Sequence, residues 1–390
     1  MDGGGQMIVG GRQVPIPGGC AFVPDSLPPR VTYTAEVDGE EMGRRIGRAM
    51  EGIGGLRAAG ARAGGALAHR APYLAREAVA SSRIEGTSTT LDELLRRRAL
   101  AGEPHGDGRD LMTMEVENNA RALEDAMGLV GGGAPIDLGI IRRAHRVLVA
   151  GLPQYGAMAP GEFRDAQNWI GGKGVADATY VPPPPGMVVP LMENLVSYIA
   201  AGSGSASPLA RCAIAHCQFE SIHPFPDGNG RVGRILTLLM MKKYGLLDTP
   251  ALAISRYLLR HRFRYYDMLR APRRQGGWAQ WIAFFADACA AQATEEISSM
   301  KMLGSLCEEY RGRLEGITSS ASVTRVIGRI VANPYVTTTS VMEATGMGHA
   351  DSLHLMRKLV EGGTLEDVPA ATGTRLYVAP EMMRIMAHGD

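Results

Sequence analysis

Twelve consecutive residues, His223-Pro224-Phe225-Pro226-Asp227-Gly228-Asn229-Gly230-Arg231-Val232-Gly233-Arg234, constrain this chain more than any other stretch. Upstream, Leu209, Cys212, Ile214, Ala215, Phe219 and Ile222 recur at helical spacing and predict a buried helix beginning at Pro208. Pro224 cannot continue that helix and restricts His223 to extended geometry, so the helix should stop at about His223. Downstream, Val232, Ile235, Leu236, Leu239 and Met240 predict a second helix from Gly230 to Tyr244. The unit is helix, glycine-rich loop, helix. Gly228 and Gly230 permit positive φ and close backbone approach. The free N–H groups and dipole at the start of the second helix attract anions. Arg231 and Arg234 add two cations that can fork onto phosphate oxygens. Asp227 offers a hard carboxylate suited to Mg²⁺. His223 is the residue whose ordinary titration range suits a general base near neutral pH. An anion nest, a metal ligand, a base and two clamps describe phosphate-transfer chemistry.

The same run matches the pattern HPFx(D/E)GNGRxxR at every defined position, and in this it resembles the Fic family. The resemblance implies a mainly α-helical core with a β-hairpin flap, and transfer of AMP from Mg-ATP to a Ser, Thr or Tyr hydroxyl of a protein, its own included. By matched position it implies that His223 deprotonates the hydroxyl and Asp227 binds Mg²⁺. The Gly228-Asn229-Gly230 turn would hold the α- and β-phosphates, Arg231 would help hold the phosphates and Arg234 would take the γ-phosphate. Phe225 would point inward and anchor the loop. The motif leaves the base of the nucleotide open, so UTP or GTP, another phosphorylated group, or removal of AMP stay as alternatives. From a different class comes a DNA-binding regulator whose nucleotide site only senses.

A second stretch gains meaning beside the first. Arg76 to Ile84 reads as helical, and Gly86 followed by Thr87 and Ser88 reads as a helix end. Thr90, with Glu93 three residues on, reads as the capping box of a new helix. Ser81, Glu85 and Gly86 match the family's inhibitory pattern (S/T)xxxE(G/N), placed before the core as in the subclass with an N-terminal inhibitory helix. The resemblance implies a charge-assisted pair of Glu85 with Arg234, occupying the arginine that the γ-phosphate needs.

Gln167 to Ile170 and Thr179 to Val181 read as two strands around a glycine-rich turn, a hairpin in an otherwise helical chain. It resembles the Fic flap, onto which a target segment near residues 167–181 would be laid by strand addition. Asp137 is placed to cap a helix from Leu138 to Ala150, whose His145 reads as a packing or hydrogen-bonding residue. Thr249–Arg260, Arg262–Leu269 and Trp278–Met302 read as further helices. The first thirty residues, rich in Gly and Pro, read as an extended arm, and Glu41–Leu56 and Ala58–His69 as two helices.

From Ser319 the character changes. Helices at Ser322–Ala332, Thr339–Thr345 and Asp351–Glu361 precede two strands, Leu365–Val368 and Arg375–Val378, a winged-helix order. Ala321 to Asp390 carries six Lys and Arg against seven Asp and Glu, a thin footprint for DNA. A target-docking or dimer-forming module is the favoured reading. The expected division is an arm over 1–30, an N-terminal helical domain over 31–110, the core over 111–290, a connector over 291–318 and the winged helix over 319–390.

The whole chain of 390 residues carries 41 basic against 40 acidic side chains, which gives no general pull toward nucleic acid or anionic membrane. Five unpaired cysteines suggest a reducing, cytoplasmic setting, with Cys212 and Cys217 as small core residues. No apolar run reaches membrane-span length, and no charged-then-apolar leader is evident. The richness in Gly, Ala and Arg is that of a GC-rich bacterial genome.

Overall fold

The computed structural model describes residues 7–8, 10–28, 39–62, 71–101, 111–156, 159–202, 207–275, 277–369 and 375–387. The part of the predicted Ala58–His69 helix beyond residue 62, the polar break at Gly106–Asp110 and most of the 202–207 linker lie outside these residues.

The chain is mainly helical and divides into two compact units. The first comprises Met1–Ile53, Asn118–Asp248 and Tyr257–Ala291, the second Gly54–Glu117, Thr249–Arg256 and Gln292–Asp390. In chain order the elements are strands β1 (Met7–Ile8), β2 (Gly11–Ile16) and β3 (Gly19–Pro24), then helices α1 (Glu40–Arg62), α2 (Ala71–Ile84), α3 (Leu91–Ala99), α4 (Leu111–Gly131), α5 (Leu138–Leu148), α6 (Pro185–Ala200), α7 (Pro208–Ile222), α8 (Asn229–Lys243), α9 (Ile254–Arg260), α10 (Arg262–Gln275), α11 (Trp278–Leu314) and α12 (Ser320–Ala332). Strand β4 (Tyr335–Thr337), helices α13 (Thr338–Thr345) and α14 (His349–Glu361), strands β5 (Glu366–Val368) and β6 (Leu376–Val378) and helix α15 (Pro380–Met386) complete it.

In the first unit α7 is the axle. Its residues from Leu209 to Phe219 are all buried, so it must be covered on every side. Helices α6 and α8 pack along it, and β3 lies on it. The indole of Trp281 donates to the Ala213 carbonyl at 2.7 Å. His216 hydrogen-bonds Tyr265 Oη at 2.8 Å and Thr237 Oγ1 at 3.0 Å, and burial pushes its imidazole down to about 3. Asp137 caps α5 as its position predicts, accepting from the Ile140 N–H at 2.9 Å.

The predicted extended arm is instead a three-stranded antiparallel sheet, β1-β2-β3. Ile16 pairs with Gly19 across a turn whose Gly18 has φ +84°, and Ala21, Phe22 and Val23 are buried. The Asn194 amide brackets Leu27, accepting its N–H at 2.7 Å and donating to its carbonyl at 3.2 Å, and Gln218 donates to the Asp25 carbonyl at 2.9 Å. Partner strand and tertiary contacts supply what local propensity lacks.

In the second unit α2 carries buried charge. Arg76 pairs with Glu296 at 2.7 Å, Gln292 donates to Glu296 at 2.9 Å, and Glu77 accepts the Ser255 N–H at 3.0 Å. Helix α3 starts with the predicted capping box, Thr90 accepting the Glu93 N–H at 3.2 Å while Glu93 accepts the Thr90 N–H at 2.7 Å. It is tied to the C-terminal elements by Asn333, which donates to the Leu95 carbonyl at 2.8 Å, and by Tyr335, whose hydroxyl donates to Asp92 at 2.6 Å. Beyond α12, the strands form an antiparallel sheet of order β4-β6-β5, with β4 against α3, α12 and α13.

Several boundaries differ from the predicted ones. α1 runs unbroken to Arg62, because Gly54 and Gly55 weaken a helix without breaking it. α11 continues to Leu314 through the predicted connector. Thr249–Ala253 is not helical, and α9 starts only at Ile254, four residues after Pro250. β4 and α15 went unpredicted; a three-residue strand is too short for its period to register.

Candidate active site

The motif loop closes on itself. The His223 N–H donates to the Phe219 carbonyl at 2.9 Å and completes the last turn of α7. His223 then sits at φ 50°, ψ 60°, the one non-glycine residue with positive φ among the described residues. The predicted extended geometry is therefore overturned: the chain reverses at the helix C-cap, and the left-handed region accomplishes that in one residue. Such a conformation costs on the order of 1–3 kcal/mol and persists only where surrounding bonds impose it.

Phe225 points inward and is fully buried. Its ring stacks on His145, centroids 4.0 Å apart and planes within 4°, with Phe163 at 5.3 Å and Phe219 at 6.5 Å. The Asn229 side chain turns back on the loop, accepting the Phe225 N–H and donating to the Phe225 carbonyl, both at 2.8 Å. That side chain is committed to loop closure, so only backbone at this position is left to meet an anion. Gly228 has φ +77°, and a Cβ there would meet Leu148 Cδ2 at 3.1 Å, so the turn calls for glycine. Gly230 is half-buried in the first turn of α8. Asp227 is exposed, with Oδ1 accepting the Gly228 N–H at 2.5 Å.

His145 supports the loop from behind. The Gly161 N–H donates to its Nδ1 at 2.9 Å, which leaves Nε2 as the protonated nitrogen, donating to the Asp227 carbonyl at 3.1 Å. Burial pushes its titration down to about 4, so it is neutral at physiological pH. The sequence offered it no partner; the fold supplies two.

Arg231 and Arg234 are only 3% and 1% exposed, so they are no hydrated helix face. Three residues apart, they share one side of α8. Arg231 donates to the Tyr155 hydroxyl at 2.8 Å, a contact no local pattern announces. Gly233 lets α7 approach closely, since a Cβ there would fall 2.2 Å from Glu220 Oε1.

The predicted flap hairpin reduces to one antiparallel bridge, Ile170 with Tyr180, around a short 3-10 turn at Val175–Asp177. Gly171, Gly172 and Gly174, all before the turn, leave little to sustain a longer ladder. Asn168 donates to the Phe225 carbonyl at 3.4 Å, and Tyr180 Oη to the Ser221 carbonyl at 2.5 Å, so the flap is fastened to the motif loop. On its other side the Phe22 N–H donates to the Val181 carbonyl at 2.9 Å, a neighbour from the N-terminal sheet. Trp169 and Ile170 stay 43% and 38% exposed.

In the second unit Ser81 is buried within α2. Glu85 follows the helix end and is exposed, and Gly86 stops the helix at φ +103°, with the Thr87 N–H reaching back to the Ser82 carbonyl at 3.2 Å. Among the described residues no group of three or more His, Cys, Asp or Glu could hold a metal ion.

Residues 135–241 match the family model described as Fic/DOC family, and residues 44–128 that of the Fic/DOC family N-terminal region. These two stretches are a Fic/DOC domain and a Fic/DOC N-terminal domain. Among curated Fic relatives, the protein adenylyltransferase Fic of Aedes aegypti is 36% identical over 212 residues, covering 52% of this chain and 38% of its own length. That of Culex quinquefasciatus is likewise 36% identical with the same coverage. The chain thus spans under two-fifths of the length of these relatives. Among solved structures, a Fic family protein from Desulfovibrio desulfuricans matches with a TM-score of 0.54 at 21% identity, covering 86% of this chain and 95% of that one. Fic-1 of C. elegans, residues 134–508, matches with a TM-score of 0.51 at 19% identity, covering 67% and 74%. At such identities the two structures share the Fic fold with this chain. With relatives in insects and a structural neighbour in a bacterium, the bacterial composition decides nothing about source.

Proposed function

We propose that this chain transfers AMP from Mg-ATP to a Ser, Thr or Tyr hydroxyl of a protein. The observation that carries the reading is the pair of buried arginines on one side of α8, beside a helix start opened by Gly228 and a loop begun by His223. The curated relatives named protein adenylyltransferase support it at the level of the family.

In this reading the His223 imidazole takes the proton of the target hydroxyl as its oxygen attacks the α-phosphorus. The bond from that phosphorus to the β-phosphate bridging oxygen breaks, and pyrophosphate leaves. Arg231 and Arg234 carry the phosphate charge, Arg234 at the γ position, with the backbone N–H groups around Gly228–Gly230 adding donors. Asp227 fits a magnesium ion, being an exposed hard carboxylate whose orientation the Gly228 N–H holds. Mg²⁺, when bound, would offset charge on the phosphates and the leaving pyrophosphate. The exposed rim at Trp169–Ile170 is where an extended target segment would add to the flap.

Restraint by Glu85 is the finer part of the proposal, supported by the match of Ser81, Glu85 and Gly86 to the inhibitory pattern. The C-terminal elements are read as a winged helix serving target docking or self-association, on their order of helix, strand, two helices and hairpin and their net negative charge.

The test is incubation of wild type, Glu85→Gly and His223→Ala with each of four α-labelled nucleoside triphosphates and Mg²⁺. Label from ATP on protein, lost in His223→Ala by about 10²–10⁴-fold, is the expected result. Label from another nucleotide alone would redirect the donor. Binding of nucleotide without any label, together with salt-sensitive duplex binding, would favour a DNA-binding sensor.

A further inference from the structure

Arg164 follows Gly161 by three residues at the root of the flap, and nothing in its neighbourhood in the sequence suggests a task. It is 5% exposed. Its Nε–H donates to the His223 carbonyl at 2.9 Å, and its own backbone N–H donates to the Pro224 carbonyl at 2.9 Å. One terminal nitrogen donates to the Ala166 carbonyl at 3.2 Å, and the other to the Pro183 carbonyl at 2.5 Å and the Ile222 carbonyl at 3.5 Å. Among the described residues no carboxylate pairs with it. A buried guanidinium without a counter-anion is expensive, and here carbonyl dipoles alone satisfy it. Ile222 and His223 stand at the carbonyl-rich end of α7, where the helix dipole favours a cation. Burial pushes Arg164 down to about 10, which leaves it charged at physiological pH.

We infer that Arg164 is the positioning residue that holds His223 in its left-handed backbone conformation and ties that histidine to both stems of the flap. The bonds it makes join three separate pieces of chain: the end of α7, the stem leading into the flap at Ala166, and the stem leading out at Pro183. A target laid on the flap and the base that must meet its hydroxyl are thereby referenced to one rigid guanidinium. Only arginine presents donors in a planar fork of this reach; lysine keeps the charge and loses the fork. Arg164 touches no reacting atom, so its effect belongs to the orientation of His223 rather than to the binding of nucleotide. The role in catalysis rests on the reading of His223 as the base.

The test compares full-length wild type, Arg164→Lys, Arg164→Gln and His223→Ala, each checked by circular dichroism, for Mg-ATP affinity and for kcat of AMP transfer. Displacing a base by about 1 Å costs on the order of 10²-fold in rate, so kcat in Arg164→Lys should fall by about that much with Mg-ATP affinity within about twofold of wild type. An unchanged kcat overturns the inference, as does an equal loss of kcat and nucleotide affinity. Arg164→Gln answers in the same terms if the lysine variant does not fold. In parallel, arginine-side-chain NMR on the wild-type protein reads the tie without any turnover. A protected, slowly exchanging Arg164 Nε–H supports it, and exchange as fast as that of an exposed arginine overturns it, whichever variants fold. If His223→Ala transfers AMP at the wild-type rate, the proposed base is wrong, while the exchange measurement still decides whether Arg164 holds His223.

Discussion

At the scale of the residue, the loop is built from side chains that spend their polarity on backbone. Asn229 satisfies both backbone groups of Phe225 from within, where water does not reach. Asn229→Asp keeps the acceptor and sets a carboxylate against the Phe225 carbonyl. We expect a loss of about 1–3 kcal/mol, read as a lower urea midpoint, and slower AMP transfer. A midpoint equal to wild type would show that the loop closes without this side chain. His145 and His216 make a pH prediction. Both are buried and neutral, with titration pushed down to about 4 and about 3 from an ordinary 6.5. The unfolded chain therefore binds more protons than the folded one between those values. Stability should be complete above about pH 6.5 and fall on acidification toward about pH 4 for His145 and lower still for His216, with a slope on the order of 1 kcal/mol per pH unit for each group. Thermal melts from pH 7.5 to 4.5 should show the decline, and His145→Gln, though less stable at neutral pH, should show a shallower one.

At the scale of the element, local rules and buried charge work side by side in α2 and α3. The capping box at Thr90 is a local device, so Thr90→Ala should cost about 1 kcal/mol in a urea titration and leave nucleotide affinity untouched. Arg76 is a different case, because its partner Glu296 is fully buried and lies far along the chain. Arg76→Met strips a buried carboxylate of a close cation, and a loss of about 3–5 kcal/mol is expected. A loss below that of Thr90→Ala would mean that Gln292 and Arg256, at 2.9 Å and 3.6 Å, suffice for Glu296. The capping box could be read in advance from four letters. The Arg76–Glu296 pair could not, since 220 residues separate its partners.

At the scale of the molecule, the proposed chemistry and its proposed restraint fall in different compact units: His223 and Arg234 in the first, Ser81, Glu85 and Gly86 in the second. Glu85→Gly should raise the rate of AMP transfer by about 10- to 100-fold, the worth of one charge-assisted hydrogen bond. Labelled-ATP kinetics on an otherwise intact chain decide it, and a rate no higher than wild type would remove Glu85 from the account. Among the described residues no helix is long and apolar enough to cross a membrane.

The order of residues alone determined the helix–loop–helix, the caps at Thr90 and Asp137 and the stop at Gly86, because each depends on neighbours within a few positions. Periodicity, capping and turn chemistry are short-range effects, and a single sequence displays them directly. Tertiary structure decided the rest. It turned the Gly- and Pro-rich arm into a sheet, reduced the flap to one bridge and set His223 in the left-handed region. It brought Arg164, His145 and Tyr155 to the motif from 59, 82 and 76 residues away. Hydrogen bonds between such distant partners exist only once the chain has folded, when burial makes an unpaired polar group costly enough to dictate where each one points.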